Sequence, residues 1–597
     1  IRSALKLNSR CGDQSLSQLR DGISEILAHG MRRWRTPSAL KVWVLLPLGL
    51  MTPSAAAHDV YLMNSNHTDY NWNATAAEYD AAILAELDYF LQQIAETASA
   101  PPEEQARYAP DCWWWLYLYE QNRTPEKFAQ LIGAIRTGHI TVPLNPFVTL
   151  YGALSTETAI RAGYYPGRIA RRYGLRFPLA EYRENHTSPW GLASLWAGSG
   201  VAYTWKGVCG CWQSAPDRVD EELFIWQGPD GKTLLFKWYN LLGSNRDWGG
   251  YAEARDNLSD PSLIDLQIMR TQSRMPGISA TGLFGAGWDN ISWQSTSVLD
   301  AVVAYNNTAT ENTAIMSNGI DFFQAVETSG ATSLLETLRG GWGNDWDMWP
   351  ASLAERTSRA RRALERIRTA EALAVWAELY TTGFWPPVRA SLERGMVSVW
   401  KYFEHGWNVT DGGPTLTRME ADKEAWTQHI EDAVDGAITA AEATISRLFT
   451  TPDEDRVAVF NSLGFNRTDV AEIKVTGPGP FIVTDIRTGF EVPSQLVTDG
   501  ETTRLRFLAS DVPSLGYRVY RYAVGIPPAW PDAATVTPSS RTIENDGYRV
   551  VLGNRGEIIS AVSKATDPDV ELAGANGLND YGAGTIQSVV AEDVGPV

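Results

Sequence analysis

Three textures follow one another along this chain, and no single hydrophobic core accommodates all of them. Between residues 58 and 345, strand-like and helix-like stretches alternate. Residues 60–63 form an apolar run ending in a polar cluster, the pattern of a strand buried in a parallel sheet. Residues 75–98 follow with Ile83, Leu84, Leu87, Phe90 and Leu91 at helical spacing. Residues 125–137 read as a further helix and 281–285 as a further strand. Such alternation predicts an α/β domain, a (β/α) barrel-like one. Between 346 and 450 the texture becomes helical, with candidates at 351–379, 387–403 and 421–448, and a helical bundle is expected. A polar, proline-containing link at 450–455 ends it. Short alternating strands at 456–460, 470–475, 504–508, 517–522 and 548–552 then predict a β-sandwich over 451–597. That pattern stops without a closing element, so the sandwich is expected to be incomplete. The predicted class is multidomain: α/β, then α, then β.

The 597 residues agree, being too many for one core and enough for two to four domains. A formal net charge of −19 repels phosphate backbones and argues against a nucleic-acid partner. The 24 Trp and 23 Tyr either stack on sugar rings or fill large cores. Residues 1–57 are set aside as an upstream segment and a signal peptide: Arg32, Arg33 and Arg35, then an apolar run at 42–51, then the small residues Ser54 to Ala57. The run is too short to span a bilayer, and no later stretch is long enough, so a secreted or periplasmic protein with no membrane partner is expected. Cleavage after Ala57 would expose His58, whose amine and ring could chelate copper, although nothing that follows offers a second ligand pattern. Cys112 could pair with Cys209 or Cys211, and the spacing gives no zinc-site signature. Oligomeric state is left open.

Four regions carry candidate chemistry. His67 and Asp69 lie directly after the first predicted strand, where ligands of α/β folds gather. Two apart in extended backbone, they project to one side and could bind a divalent metal, zinc being favoured by nitrogen. They could equally be hydrogen-bonded to neighbours. The second region holds Glu181, Glu184 and His186, each either functional or an ordinary loop residue. The third, from Leu283 to Asn290, is a strand end running into a glycine turn with Trp288 and Asp289. The fourth holds His405 after a predicted helix, where it is either a metal ligand or a complement to the helix dipole.

In their order, these regions resemble glycoside hydrolase family 38, the α-mannosidases. The family opens its barrel with H-x-D-x-x-W, matched by His67, Asp69 and Trp72. Ser65 stands where the longer signature has a first histidine, and Tyr70-Asn71 where it has Pro-Gly. The segment Ala193-Ser194-Leu195 resembles the family's A-S-L-x-A, and counting back from it puts Glu184 at the nucleophile position, one methylene longer than the family's Asp. Asp289 falls at the acid/base place and His405 at the bundle-region ligand, which the family has in an H-H-D-like context. Residues 457–467 and 545–564 resemble two stretches of the family's β-domain. The resemblance implies a zinc-like metal held by His67, Asp69, Glu184 and His405. It also implies Glu184 and Asp289 as catalytic residues, with Trp72, His186 and Trp288 as substrate contacts. The activity implied is retaining exo-hydrolysis of α-mannosides or a related oligosaccharide or polysaccharide. A polysaccharide lyase or deacetylase using the same His/Asp site, or a non-catalytic carbohydrate-binding relative, stands as the alternative.

Overall fold

The computed structural model describes residues 57–183, 187–207, 222–238, 253–256, 262–287, 291–309, 311–342, 345–407, 414–449, 454–499, 502–528, 534–565, 568–573 and 578. The chain divides into two compact units, one of residues 1–360 and 396–429, the other of residues 361–395 and 430–597.

In the first unit, strand β1 (Asp59–Met63) lies within a parallel sheet whose other members are introduced below. A second, five-stranded sheet is built from β2 (Leu179–Tyr182), β3 (Tyr203–Lys206), β4 (Leu223–Gln227), β5 (Thr233–Trp238) and, at one edge, a strand at 337–339. In it β2, β3 and β5 run parallel, while β4 pairs antiparallel with β5. The neighbours of β1 are β6 (Ala280–Phe284) and β7 (Thr313–Ser317), one on each side. Both faces of β1 are covered. Tyr61 and Met63 pack with Trp205, Phe284 and Phe322, whereas Val60 and Leu62 pack with Leu283, Val298 and Val302. Burial on two faces is why this strand reads as a continuous apolar run rather than an alternation.

The sequence predicts barrel-like closure, and the described strands fall into these two sheets. Pairing is carried sideways past the end of β1 by parallel bridges from Ser65 to Ala109 and from Tyr108 to Ile140. Leu144 N then donates to Leu179 O at the start of β2. Around this framework lie helices such as Ala76–Glu96, predicted at 75–98. It begins where Thr75 and Glu78 form a reciprocal capping box, and it buries Tyr79, Ile83, Leu87 and Phe90 as one stripe.

Three long helices follow: Ala354–Tyr380, Trp385–Tyr402 and Pro414–Ile445. The third starts well before the predicted position 421. Proline is tolerated in a first turn, where its missing N–H breaks no helical bond, and the polar residues after it give no apolar period to read. In the second unit, β8 (Asp455–Asn461), β9 (Arg467–Lys474), β10 (Phe481–Asp485), β11 (Ser494–Asp499), β12 (Thr502–Val512) and β13 (Gly516–Val524) form two antiparallel sheets. They enclose one core of Phe481, Val483, Leu505, Phe507 and Tyr520. A further five-stranded sheet spans residues 535–571.

Three expectations meet the structure here. His58 is buried, its Nε2 2.8 Å from Thr281 Oγ1 on the neighbouring strand, which is the setting of a core histidine. Cys112 is a buried free thiol, and Cys209 and Cys211 lie outside the described residues. The leader-like residues up to 56 also lie outside them. Among the described residues, no helix is long and apolar enough to cross a membrane.

One buried carboxyl sets a pH dependence. Glu86 sits in the buried stripe of its helix and accepts from Tyr108 OH and from Trp293 N. Burial pushes its pKa from 4.5 up to about 7, against those donors. A raised carboxyl keeps its proton in the fold while the unfolded chain loses it. The contribution of this carboxyl to stability is therefore full below pH 4.5 and is lost as the pH rises through about 7. Glu86→Gln should remove that slope and gain, relative to wild type, up to about 3 kcal/mol between pH 4.5 and 8. Urea denaturation at both pH values measures it, and an unchanged slope would refute the assignment.

Candidate metal centre

The loop after β1 is fixed through its backbone. Ala286 and Gly287 N–H both donate to Ser65 O, and His67 N donates to Gly287 O at 3.1 Å. Residue 287 must be glycine, because a Cβ there would stand 2.1 Å from Asn66 Oδ1 and 2.9 Å from Asn66 Cα. Thr68 N donates to Asp111 Oδ2 at 2.9 Å, while Trp115 Nε1 holds the other oxygen of Asp111. Asn145 then links Asp111 O to Glu181 N, so one buried polar chain ties the loop after β1 to β2. Asn71 has φ +67°, a region that Gly or Asn enters at least cost.

Into this loop comes a segment from far along the chain. Thr149 pairs with Glu404, and His405 N donates to Val148 O. His405 Nε2 lies 2.9 Å and His67 Nε2 3.2 Å from the same oxygen, Asp69 Oδ1. All three side chains are buried, and their ligand atoms lie within 4.8 Å of one another. On the far side of the His405 ring, Nδ1 is 2.6 Å from Glu404 Oε1. Trp346 stacks on His405 at 6.5 Å between centroids, and Trp349 stacks on Trp346 at 4.4 Å.

One helix holds both segments. From Pro414–Ile445, Arg418 Nη2 donates to Asn71 O and Trp72 O, at 3.1 and 3.2 Å. One turn on, the buried Lys423 Nζ donates to Tyr402 O at 2.6 Å, three residues before His405, with its ammonium over the Trp407 ring.

Electrostatics agree with this geometry. Burial opposes ionisation of Asp69, but the two imidazoles outweigh it and hold the carboxyl well below its usual range. Burial alone would lower His405, yet Glu404 and Asp69 outweigh it and raise the imidazole well above its usual value. Glu181 is different. Burial pushes it to about 8 despite Arg183, whose Nη2 lies 3.1 Å away, so it stays largely protonated at neutral pH and is a poor nucleophile.

The donor set suits zinc. Two nitrogens and one oxygen are borderline ligands, and the 2.9 and 3.2 Å separations approach the edge of about 3.3 Å that bonds of 2.0–2.1 Å give in a tetrahedron. Among the described residues, these three side chains supply the ligand atoms that converge there. The structure thus brings His67, Asp69 and His405 together. Trp72 is half-buried, and its backbone N donates to Asp69 O at 3.0 Å. Glu184, His186, Trp288 and Asp289 lie outside the described residues. Their flanks bear on the site: Gly287, just before Trp288, pairs with Asn66, and Glu181 feels the charge of His67. Sequence reading passed over Glu404, Asp111 and Trp346. An acid adjoining a candidate ligand and the aromatic run from Trp342 to Trp349 were the available signals.

Among solved structures, an α-mannosidase from Enterococcus faecalis matches with a TM-score of 0.66 at 16% identity, over 86% of this chain and 61% of that one. The fold resembles a family 38 glycoside hydrolase. A second structure, a protein in glycosyl hydrolase family 38 from Enterococcus faecalis, matches at 0.60 and 16% identity, over 86% of this chain and 60% of that one. The likeness is one of fold, and this chain spans about three-fifths of either neighbour's length. No family model matches the sequence, and no curated protein matches it.

His67→Ala, Asp69→Ala and His405→Ala should each weaken zinc binding by more than the 10–100-fold typical of losing an outer-shell partner. Competition against a chromophoric chelator measures this, and wild-type affinity in any one of them would remove that residue from the ligand set.

Proposed function

We propose that this chain is a metal-dependent, retaining exo-glycoside hydrolase acting on α-mannosides or a related glycan, exported to a secreted or periplasmic location. The observation that supports it is the convergence of His67, Asp69 and His405 on one point beyond the carboxyl end of β1, in a fold resembling a family 38 hydrolase. A divalent cation, zinc, held by these three residues and Glu184, would bind sugar hydroxyls at its open position and favour ring distortion.

The residues of the chain then divide the chemistry. Glu184 attacks the anomeric carbon, and the bond to the leaving oxygen breaks as Asp289 gives that oxygen its proton. Asp289, now a carboxylate, takes a proton from water, which attacks the glycosyl ester and frees Glu184. For this, Asp289 would need a raised pKa, and retention would require the two carboxyl groups to lie about 5 Å apart. Asp69, held ionised, keeps its oxygen available as a ligand. Trp346, partly exposed beside His405, contributes an apolar contact to the sugar, with Trp72, His186 and Trp288 as further contacts.

Purified protein is expected to hold near-stoichiometric zinc and to cleave an aryl α-mannoside with retention. Activity should be lost on chelation and in Glu184→Gln, while Trp346→Ala should raise KM more than it lowers kcat. Zinc without mannoside cleavage would move the substrate to another glycan, acetate release or an unsaturated product would mark a deacetylase or lyase, and no zinc would end the reading.

A further inference from the structure

Glu404 lies beside the three ligand residues and has no place in the chemistry above. It is 1% exposed, in a segment whose backbone is already committed to Val148 and Leu150. One carboxylate oxygen lies 2.6 Å from His405 Nδ1, and the other accepts from Gly406 N at 2.6 Å. Its carbonyl accepts from Trp407 Nε1. A single carboxylate therefore spans the ring of the next residue and the backbone of the one after.

We propose that Glu404 is the positioning residue of the metal centre: it accepts the Nδ1 proton of His405, so that Nε2 presents its lone pair beside Asp69 and His67. The inference rests on the metal reading of that cluster. An ionised carboxylate can only accept, so hydrogen bonding to it requires the hydrogen on Nδ1. A ring nitrogen that ligates must be unprotonated, and a carboxylate behind the ring fixes both tautomer and orientation. The bond to Gly406 holds the carboxylate in that place. Without it, a side chain adjacent in sequence would be free to turn away from the ring.

Glutamine separates this role from simple support of the turn. Its one carbonyl oxygen can still accept from Gly406 N. Its amide nitrogen then faces Nδ1 as a donor, which favours hydrogen on Nε2, the wrong atom for a ligand. The test is zinc titration of the full chain, stripped by chelation, in wild type, Glu404→Gln and Asp69→Ala, with thermal melting of each metal-free form. The expected result is zinc binding 10–100-fold weaker in Glu404→Gln, with the metal-free form still melting cooperatively. The d–d spectrum of the cobalt-loaded variant should shift as well. Wild-type affinity and spectrum in Glu404→Gln, with binding lost in Asp69→Ala, would overturn the role of Glu404 and leave the metal site standing. No zinc binding by wild type would overturn the metal reading itself. If Glu404→Gln fails to fold, Glu404→Asp, which keeps the charge but draws it back from the ring, is titrated instead, and undiminished affinity overturns the proposal.

Discussion

Asp69 Oδ1 faces two imidazoles, and one of them arrives from the link between the second and third long helices. Everything around the site serves that meeting. A buried carboxylate is costly unless its partners stay within reach, so the two segments cannot drift apart without leaving a charge unpaired. The restraint comes from a third element. Arg418 and Lys423, five residues apart on one helix, grip the carbonyls that follow Asp69 and those that precede His405. Neither cation touches a ligand side chain. Both act on backbone, which sets position without competing for the ligand atoms.

The same device recurs at the neighbouring strand ends. Lys237 is fully buried, 2.7 Å from Glu253 and 3.2 Å from Glu222, and Glu253 also accepts from Phe284 N at the end of β6. Ala254 N donates to Gly285 O. The short helix at 253–256 is thereby pinned beside the turn that leads to Gly287. Such ion clusters are weak sources of net stability, since desolvation offsets most of their attraction. What they supply is location. Breaking one leaves an unpaired buried charge, so the loop has one acceptable position.

The regular elements were legible because they are local. The capping box at Thr75, the apolar stripe of its helix and the uniformly buried β1 each write their environment into consecutive residues. The pair His67 and Asp69 was legible for the same reason, through a spacing of two. His405 had only a weak local mark, its place after a predicted helix, and the order of regions in the family resemblance nominated it as a ligand. Glu404 left one weak signal, an acid adjoining a candidate ligand, because contact between adjacent residues has no period and a glutamate before a histidine is ordinary on any surface. Asp111 was hidden likewise, since its partners are a backbone N–H and an indole from elsewhere. The start of the third long helix was misread because its first two turns carry only Leu416 and Met419 among polar residues after a proline.

The departures from the family signature look separate in sequence and are joined in space. At the signature's glycine stands Asn71, which holds the left-handed conformation that glycine would supply. Its neighbour Tyr70 turns its carbonyl towards Gly406, where a Cβ would stand 2.9 Å from that oxygen and 2.8 Å from Glu404 Oε2. No side chain therefore fits after His405, and an aspartate there, as in the H-H-D-like pattern, is excluded. The carboxylate stands before the histidine instead, on Glu404, and reaches the ring from its Nδ1 side. Changing Tyr70-Asn71 back towards the signature would not by itself accommodate an aspartate at 406, because Glu404 already occupies the space that its side chain would enter. Residues 70–71 and 404–406 are thus packed against one another around His405, and neither segment can be altered without the other.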